Sequence, residues 1–190
     1  MKTLKFALLS TIDSPLLHYF LDSISEYCIE NVCIIFDKKQ VSEKNRDIFF
    51  ERTDGKLGSF GIHNLHNMGD KIVPSYFVDS HNDHHCVSLI KELGIDCLAN
   101  AGTPRKLGPE LLDASPLGVV NVHPGLLPKY RGSCAVEWAI LNDDKVGNTA
   151  HFMVEEYDAG PIITSESYTF NKSSTYSNIR CHVYKRQCAL

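Results

Sequence analysis

Two polar residues, Asn121 and His123, follow an apolar run that predicts a buried strand. The run is Gly118-Val119-Val120, and because residues two apart in a strand share a face, both polar side chains are expected to point the same way. Pro124 and Pro128 then end the regular structure. The amide donates hydrogen bonds, and the imidazole can also exchange a proton near neutral pH. Both groups therefore stand at the carboxyl rim of the predicted sheet, where open α/β sheets bind ligands.

A second stretch, residues 151–163, supplies a carboxylate. It reads as an apolar strand, an acidic turn, and then Asp158-Ala159-Gly160-Pro161 before another apolar strand. Taken alone, Asn-x-His is compatible with a satisfied polar pair at a strand end, and Asp158 with an ordinary turn residue. If Asp158 and His123 converge, the carboxylate is expected to raise the pKa of the imidazole.

Together the two stretches resemble the catalytic domain of the folate-dependent formyltransferases. The family pattern is Asn-x-His-Pro-(Ser/Gly)-Leu-Leu-Pro, matched by residues 121–128, followed by Asp-x-Gly-Pro, matched by residues 158–161. Asp158 lies 35 residues after His123, as in the family. The resemblance is strong over residues 70–185 and rests on pattern alone over the first 40. It implies transfer of a formyl group from N10-formyltetrahydrofolate, the co-substrate, to a primary amine.

The resemblance also implies roles for the three residues. Asn121 and His123 donate hydrogen bonds to the formyl oxygen as that oxygen gains negative charge. Asp158 favours the protonated form of His123 and helps the proton of the amine to leave through water. No covalent nucleophile is implied, because the formyl group already sits on a good carrier.

Two loops are implied to hold the co-substrate, and a third lies on the acceptor side. The co-substrate loops comprise Gly102, Thr103, Pro104, Arg105, Lys106 and Leu107 on one side and Val154, Glu155 and Tyr157 on the other. Arg105 taken alone is also compatible with a solvated loop charge. The acceptor candidates are Pro124, Gly125, Lys129 and Arg131, of which the last two either bind a substrate phosphate or are simply exposed. Further acceptor candidates are Asn64, His66 and Asn67.

The order of apolar runs predicts an α/β fold, a Rossmann-like, doubly wound and mostly parallel sheet flanked by helices. Strands are predicted over residues 4–10, 32–36, 72–78, 95–99, from 118, over 148–154 and over 162–170. Helices are predicted after Ser14-Pro15, over residues 40–52, from an Asn82 cap to Leu93, over residues 109–114 and 133–141, and after a cap at Ser173 or Ser174. Residues 53–69 are expected to form a loop beside the site.

Composition places the chain among ordinary globular proteins. Its 190 residues are 43% hydrophobic and 22% charged, which predicts one catalytic domain over residues 1–190. A net charge of −4 gives no basic field, so no nucleic-acid partner is expected. No signal peptide or membrane span is expected, and seven cysteines without a CxxC pair indicate a reducing cytoplasm. A homodimer is compatible with the sequence.

Two other clusters suggest chemistry less strongly. His81, His84, His85 and Cys86 lie too close together to converge on a metal ion, so no metal is expected. Cys134 has no base spaced for it and is predicted to be a packed small residue.

Several acceptors stay open. The segment after the first strand, residues 10–15, has no glycine, which disfavours glycinamide ribonucleotide. No residues remain for the C-terminal basic domain of the initiator-tRNA member or for the N-terminal domain of the deformylase. This exclusion favours the amine of a nucleotide-linked amino sugar. The alternatives are glycinamide ribonucleotide or a methionyl-tRNA-like acceptor, a hydrolase that releases formate, and a folate-binding protein without activity.

Overall fold

Strands and helices alternate along the chain, as the order of apolar runs predicts. The computed structural model describes residues 3–27, 29, 31–58, 67–68, 71–171 and 173–190. Within these residues the elements are β1 (Phe6–Thr11), α1 (Leu17–Glu26), β2 (Val32–Asp37), α2 (Glu43–Thr53), β3 (Asn67–Met68), β4 (Lys71–Ile72), β5 (Ser75–Val78), α3 (His84–Leu93), β6 (Cys97–Asn100), α4 (Pro109–Leu112), β7 (Val119–His123), α5 (Ala135–Leu141), β8 (Val146–Phe152), β9 (Ile162–Tyr168) and α6 (Tyr176–Ala189).

Seven of these strands form one sheet in the order β5-β2-β1-β6-β7-β8-β9. The first five strands in this order, β5, β2, β1, β6 and β7, run parallel. Strand β8 is antiparallel to β7, and β9 is antiparallel to β8. The short strands β3 and β4 pair with each other outside this sheet. The predicted fold class, a mostly parallel sheet flanked by helices, is confirmed.

The central strands are apolar except toward their carboxyl ends, because both faces of the sheet are covered by helices. One face packs Leu9 and Ile35 against Ile90 of α3, and the other packs Leu8 against Leu17 of α1. A third apolar cluster lies between β8, α5 and α6. The helices and core thus hold fixed the rim at which β6 and β7 end. In the described part of the chain, no helix is long and apolar enough to cross a bilayer.

The third predicted strand is divided in the structure. The prediction ran from Ile72 to Val78, but Ile72 ends β4 and only residues from Ser75 onward join the main sheet, as β5. Pro74 lies between them and has no N–H to donate to a neighbouring strand. Its carbonyl still accepts a hydrogen bond from the Ile34 N–H at 2.9 Å, so the chain turns into the edge position at this residue.

Three predicted helix caps were wrong by one to three residues. Helix α3 is capped by Asp83, which accepts from the Cys86 N–H at 2.7 Å, rather than by Asn82. Helix α6 is capped by Thr175 and not by Ser173 or Ser174. Helix α1 begins at Leu17, after the Ser14-Pro15 turn, without a side-chain cap.

Asn82, although it is not the cap, contacts the loop predicted to hold the co-substrate. Its amide nitrogen donates to the Lys106 carbonyl and its amide oxygen accepts from the Gly108 N–H, both at 2.8 Å. Asn82 thereby fastens the end of this loop to the start of α3.

Replacement of the true cap tests this assignment. Asp83→Ala should lower the free energy of unfolding by about 1 kcal/mol, because the Cys86 N–H then loses its acceptor. Asp83→Asn retains a capping oxygen and should lose less. Urea denaturation of both variants measures the difference, and an equal loss in the two would contradict the cap.

Candidate active site

The three predicted catalytic residues meet at the carboxyl end of β7. Asn121 and His123 lie on this strand, and Asp158 lies in the loop that joins β8 to β9. The Nδ1 atom of His123 is 3.3 Å from Oδ2 of Asp158. His123 is only 5% exposed, so its ring is buried against the strand end and the following loop.

A fourth residue, His151, connects Asn121 with Asp158. Its Nε2 atom lies 3.2 Å from Nδ2 of Asn121 and 3.6 Å from Oδ1 of Asp158. The Asp158 carboxylate therefore faces two imidazoles, one with each oxygen. The antiparallel register sets Asn121 opposite His151, and this register is the feature that sequence alone did not supply. His151 was quoted in the second motif stretch but was given no role.

Asp158 acts on His123 in the expected direction, but the net shift in the pKa of the ring is downward. Burial lowers the pKa of His123, and this effect outweighs the charge of Asp158 and a hydrogen bond to the Tyr130 carbonyl, both of which raise it. Nε2 of His123 lies 2.7 Å from that carbonyl, which can only accept, so Nε2 carries the proton. Nδ1 is then the basic atom, and it faces Asp158.

Asp158 is ionised in the same environment. Burial alone would raise the pKa of its carboxyl, but the imidazoles of His151 and His123 and the Gly132 N–H hold the pKa below its ordinary value. The Gly132 N–H donates to Oδ2 at 2.8 Å. A charged carboxylate thus lies between two imidazole rings.

The orientation of Asn121 is fixed by Asn100, a residue that the sequence analysis did not select. Oδ1 of Asn100 accepts from the backbone N–H groups of residues 102 and 103, so its Nδ2 must donate to Oδ1 of Asn121, at 2.9 Å. Asn121 in turn directs its own Nδ2 to His151. Since Nδ1 of His151 lies 2.9 Å from a backbone carbonyl and carries the proton, its Nε2 accepts from Asn121.

A first cavity of about 540 Å³ opens beside these residues. Every predicted co-substrate residue except Gly102 lines it, and so do Asn121, His151 and Asp158. Gly102 lines a separate pocket together with Ser14; its φ is +98°, and a Cβ there would approach Ser14 Oγ to 3.0 Å. Its role is therefore to let the loop pass close to the turn after β1.

Arg105 braces the cavity loop and is not a solvated charge. Its guanidinium donates to both oxygens of Asp37, at 2.6 and 3.1 Å, and to the Asp79 carbonyl at 3.2 Å. The Asp37 side chain is fully buried at the end of β2. Burial would raise the pKa of Asp37, but Arg105 and the N–H groups of His81 and Lys39 hold it below its ordinary value.

His81 belongs to the same brace. Its ring is buried, with Nδ1 at 2.6 Å from Thr103 Oγ1 and Nε2 at 2.9 Å from the Ile35 carbonyl. Both nitrogens therefore have protein partners. Among the residues that the structure describes, no group of three or more His, Cys, Asp or Glu side chains is placed to hold a metal ion.

A second cavity, of about 510 Å³, meets the first at Ser133, Tyr157 and Asp158. Pro124 lines it, as predicted for the acceptor side. Gly125, Lys129 and Arg131 do not line it.

The three other acceptor candidates make different contacts. A Cβ at Gly125 would lie 2.8 Å from Nε2 of His123, so this glycine makes room for the ring. Lys129 pairs with Asp144 at 2.5 Å, and Arg131 lies 3.7 Å from Glu156.

The cations that do line the second cavity are Arg52 and Arg180, which sequence reasoning missed. Cys134 also lines it and is exposed, contrary to the prediction of a packed residue. Asn64 and His66 lie outside the described residues, and of Asn67 only the backbone, in β3, is described.

Comparison with known proteins identifies the family. The model of a family described as formyl transferase matches residues 8–187. The chain belongs to the formyl transferase family. The family resemblance inferred from the two motif stretches is therefore confirmed.

Curated relatives of this family member include two methionyl-tRNA formyltransferases. The one from Borrelia hermsii is 37% identical over 94 residues, which are 49% of this chain and 30% of that protein. The one from Nitratidesulfovibrio vulgaris is 38% identical over 89 residues, 46% of this chain and 27% of that protein. The chain thus matches less than a third of the length of these two relatives.

Solved structures of other proteins share the fold. Glycinamide ribonucleotide transformylase 1 from Symbiobacterium toebii has a TM-score of 0.68 at 21% identity, covering 98% of this chain and 82% of that one. A sugar N-formyltransferase from Shewanella sp FDAARGOS_354 has a TM-score of 0.64 at 19% identity, covering 97% and 65%. The names of these proteins and of the curated relatives include three different acceptors.

A single isosteric change tests the orienting role of Asn100. Asn100→Asp keeps the acceptor for residues 102 and 103 but has no N–H for Asn121, which should rotate and turn its oxygen toward His151. The proton of His151 should then move to Nε2, visible in the ¹⁵N shifts of the ring. Turnover should fall about tenfold or more. Asn171→Asp, an exposed site, is the matched control. An unchanged His151 tautomer would sink the assignment.

Proposed function

We propose that this chain is a catalytic domain that transfers a formyl group from N10-formyltetrahydrofolate to a primary amine of a nucleotide-linked amino sugar. The observation that carries the proposal is the Asp158 carboxylate, held between His123 and His151 where two cavities meet. One cavity suits the formyl donor and the other an amine. We propose that the catalytic domain spans residues 1–190. The homodimer remains a prediction.

The first cavity fits the formyl donor in size and in chemistry. Its volume of about 540 Å³ is in the range of small-molecule sites. Leu107, Met153 and Val154 give apolar walls for a flat ring, and the backbone of the two loops offers hydrogen bonds to its edge. Lys106 stands on the same wall, 5.0 Å from the Tyr157 ring, and offers a cation for an acidic tail. The donor supplies the activated formyl group when it is bound.

Asn121 is the residue that stabilises negative charge on the formyl oxygen. Its amide nitrogen has two N–H groups, and the described residues occupy one of them, at His151. The second N–H is available to an oxygen in the first cavity, which Asn121 lines. A donor held in place by Asn100 and His151 needs no reorganisation as charge develops, and such a donor contributes about 3–4 kcal/mol.

His123 and Asp158 hold the proton that the amine releases. Once protonated, the imidazole needs two acceptors, and both are in place, the Tyr130 carbonyl for Nε2 and Asp158 for Nδ1. A proton that reaches Asp158 from the second cavity can therefore rest on Nδ1 of His123. In this structure both nitrogens of His123 have protein partners, so we assign it proton transfer rather than hydrogen bonding to the formyl oxygen.

The amino-sugar acceptor is supported by the turn after β1. Ser10, near the end of β1, donates to the Ala101 carbonyl at 2.8 Å, and Asp13, in the turn itself, pairs with Arg46 at 2.5 Å, so side chains occupy this region. A turn filled in this way is a poor cradle for the phosphate of glycinamide ribonucleotide. The sugar N-formyltransferase among the matched folds is consistent with the proposal.

A methionyl-tRNA acceptor is the second candidate. It is favoured by the 37% and 38% identities to methionyl-tRNA formyltransferases. Each of those matches covers less than half of this chain, so the acceptor side is not decided by them. The expectation that no nucleic acid binds therefore remains a prediction.

An amine panel tests the reaction and names the acceptor. Tetrahydrofolate release from N10-formyltetrahydrofolate should depend on a nucleotide-linked 3- or 4-amino sugar, and not on glycinamide ribonucleotide or methionyl-tRNA. His123→Ala should slow the reaction by about 10²–10⁴. Release without any amine would indicate a hydrolase. Tight donor binding without release would leave a binding protein.

The fall of kcat/KM on the acid side of the pH profile should occur below the ordinary pKa of histidine. Because the pKa of His123 is below its ordinary value of 6.5, the neutral ring persists below that pH, and kcat/KM should fall only under it. The pKa of Asp158 also lies below its ordinary value, held there by the imidazoles and the Gly132 N–H. In Asp158→Asn the residual activity should have its acid limb at a lower pH, because a charge that raises the pKa of His123 is gone. A wild-type limb centred above 6.5 would contradict a neutral resting ring.

A further inference from the structure

A partly buried cluster of charges lies at the second cavity, which His123 and Asp158 also line. Helix α2 contributes Arg52, α6 contributes Arg180 and Tyr184, and α5 contributes Glu137. Arg52, Arg180 and Tyr184 line the cavity itself. Arg180 is 2% exposed, a degree of burial that arginine reaches only when its charge is compensated.

The cluster has one more positive charge than negative. Nε of Arg52 lies 3.3 Å and Nε of Arg180 lies 3.7 Å from the same atom, Oε1 of Glu137. An arginine cannot lose its proton in a protein, so two guanidiniums share one carboxylate. Asp158, which lines the same cavity, lies 3.3 Å from His123 and accepts a hydrogen bond from the Gly132 N–H.

Arg180 also has a donor without a partner. Within the described residues, its buried Nε atom has no acceptor at hydrogen-bonding distance. Tyr184 occupies another face, with Arg180 Nη2 at 2.5 Å from its hydroxyl and Cζ at 4.5 Å from its ring centre. Arg52 directs Nη2 at Cys134 Sγ, 3.3 Å away, which is a weak acceptor. Arg180 therefore keeps a donor that the described residues do not fill, and one of the contacts of Arg52 is to a weak acceptor.

We propose that Arg52 and Arg180 form an anion subsite that binds a phosphoryl group of the amine acceptor. The inference rests on the proposed function and specifies which part of the acceptor the second cavity holds. Two planar guanidiniums suit the several oxygens of a phosphoryl group, and an added negative charge offsets the excess positive charge of the cluster. The subsite takes the role that the sequence analysis gave to Lys129 and Arg131.

Its position orients the acceptor. Arg52 and Arg180 share the cavity with His123 and Asp158, so a molecule anchored at the arginines by its phosphoryl group can extend its amine toward the carboxylate. A second anchoring point of this kind holds the amine near the reacting groups and so lowers the entropic cost of bringing the two substrates together.

Anion binding without turnover tests the subsite directly. Pyrophosphate and orthophosphate are titrated into the protein and followed by calorimetry. Wild-type protein should bind at least one of them saturably, and Arg52→Gln should weaken that binding about tenfold or more. Tighter pyrophosphate binding would indicate a diphosphate-linked acceptor, and tighter orthophosphate binding a phosphate monoester.

The variants are chosen to separate binding from folding. Arg52 retains a quarter of its side-chain exposure, so its replacement should fold, whereas Arg180→Gln is checked first by circular dichroism. Arg186→Gln is the matched control, since Arg186 lies on the same helix but pairs with Glu166 at 2.8 Å, outside the cavity. Equal affinity in wild type and Arg52→Gln would overturn the subsite, and so would the absence of saturable binding up to ~10 mM.

A kinetic comparison distinguishes failure of the subsite from failure of the proposed function. One amine is assayed with and without its phosphoryl group. The phosphorylated form should have a KM at least about tenfold lower, and this difference should disappear in Arg52→Gln. Turnover that is indifferent to the phosphoryl group would overturn the subsite while leaving formyl transfer intact. Arginine-dependent binding of phosphate without turnover of any amine would support the subsite and count against the proposed acceptor.

Discussion

The antiparallel pairing of β7 with β8 determines which side chains can meet in this site. The register sets Asn121 opposite His151 and His123 opposite Thr149. Because successive residues of a strand alternate between faces, a slip of one residue would turn His151 away from Asn121. Thr149 secures the same register beyond the strand, since its hydroxyl donates to the Gly125 carbonyl at 2.8 Å and accepts from the Leu127 N–H at 3.1 Å. The loop after β7 is thus fixed by the strand that also carries His151.

Close approach between backbone segments of the β8–β9 pair places Asp158 beside the two imidazoles. A Cβ at Gly160 would lie 1.8 Å from the Phe152 carbonyl, and one at Gly147 would lie 2.3 Å from the Glu166 carbonyl. Only glycine permits these approaches, one near each end of the β8–β9 pair. The glycine of the Asp-x-Gly-Pro stretch is therefore required for space rather than for a special backbone conformation. It lets the loop fold back so that Asp158 reaches both imidazoles.

The sequence predicted the elements and the motif side chains well because both depend on local signals. Apolar runs located the strands of the main sheet. The two motif stretches pointed to Asn121 and His123 on β7 and to Asp158 in the loop after β8. What it missed depends on distant contacts. Asn100 becomes part of the site only because β6 lies beside β7, and Arg180 only because α6 packs near α2. Conversely, Lys129 and Arg131 lie close to the motif in sequence, but neither lines the first or the second cavity, and each lies near a carboxylate instead.

The polar chain of the site is anchored at backbone groups, which do not titrate. Asn100 and Asp158 accept hydrogen bonds from backbone N–H groups, those of residues 102 and 103 and that of Gly132. The rings of His151 and His123 contact the backbone carbonyls of Phe152 and Tyr130. Buried polar groups are costly unless they are satisfied, so such anchors hold each side chain in one orientation. The proton of the Asp158 pair is then the part of the network that is free to move. Burial lowers the pKa of His123 and so favours an Nδ1 without a proton, the atom that would take up the proton of the amine in the proposed reaction. A more exposed imidazole would be charged closer to neutral pH and would lose that capacity. The burial of His123 is therefore part of its chemistry as well as of the packing around it.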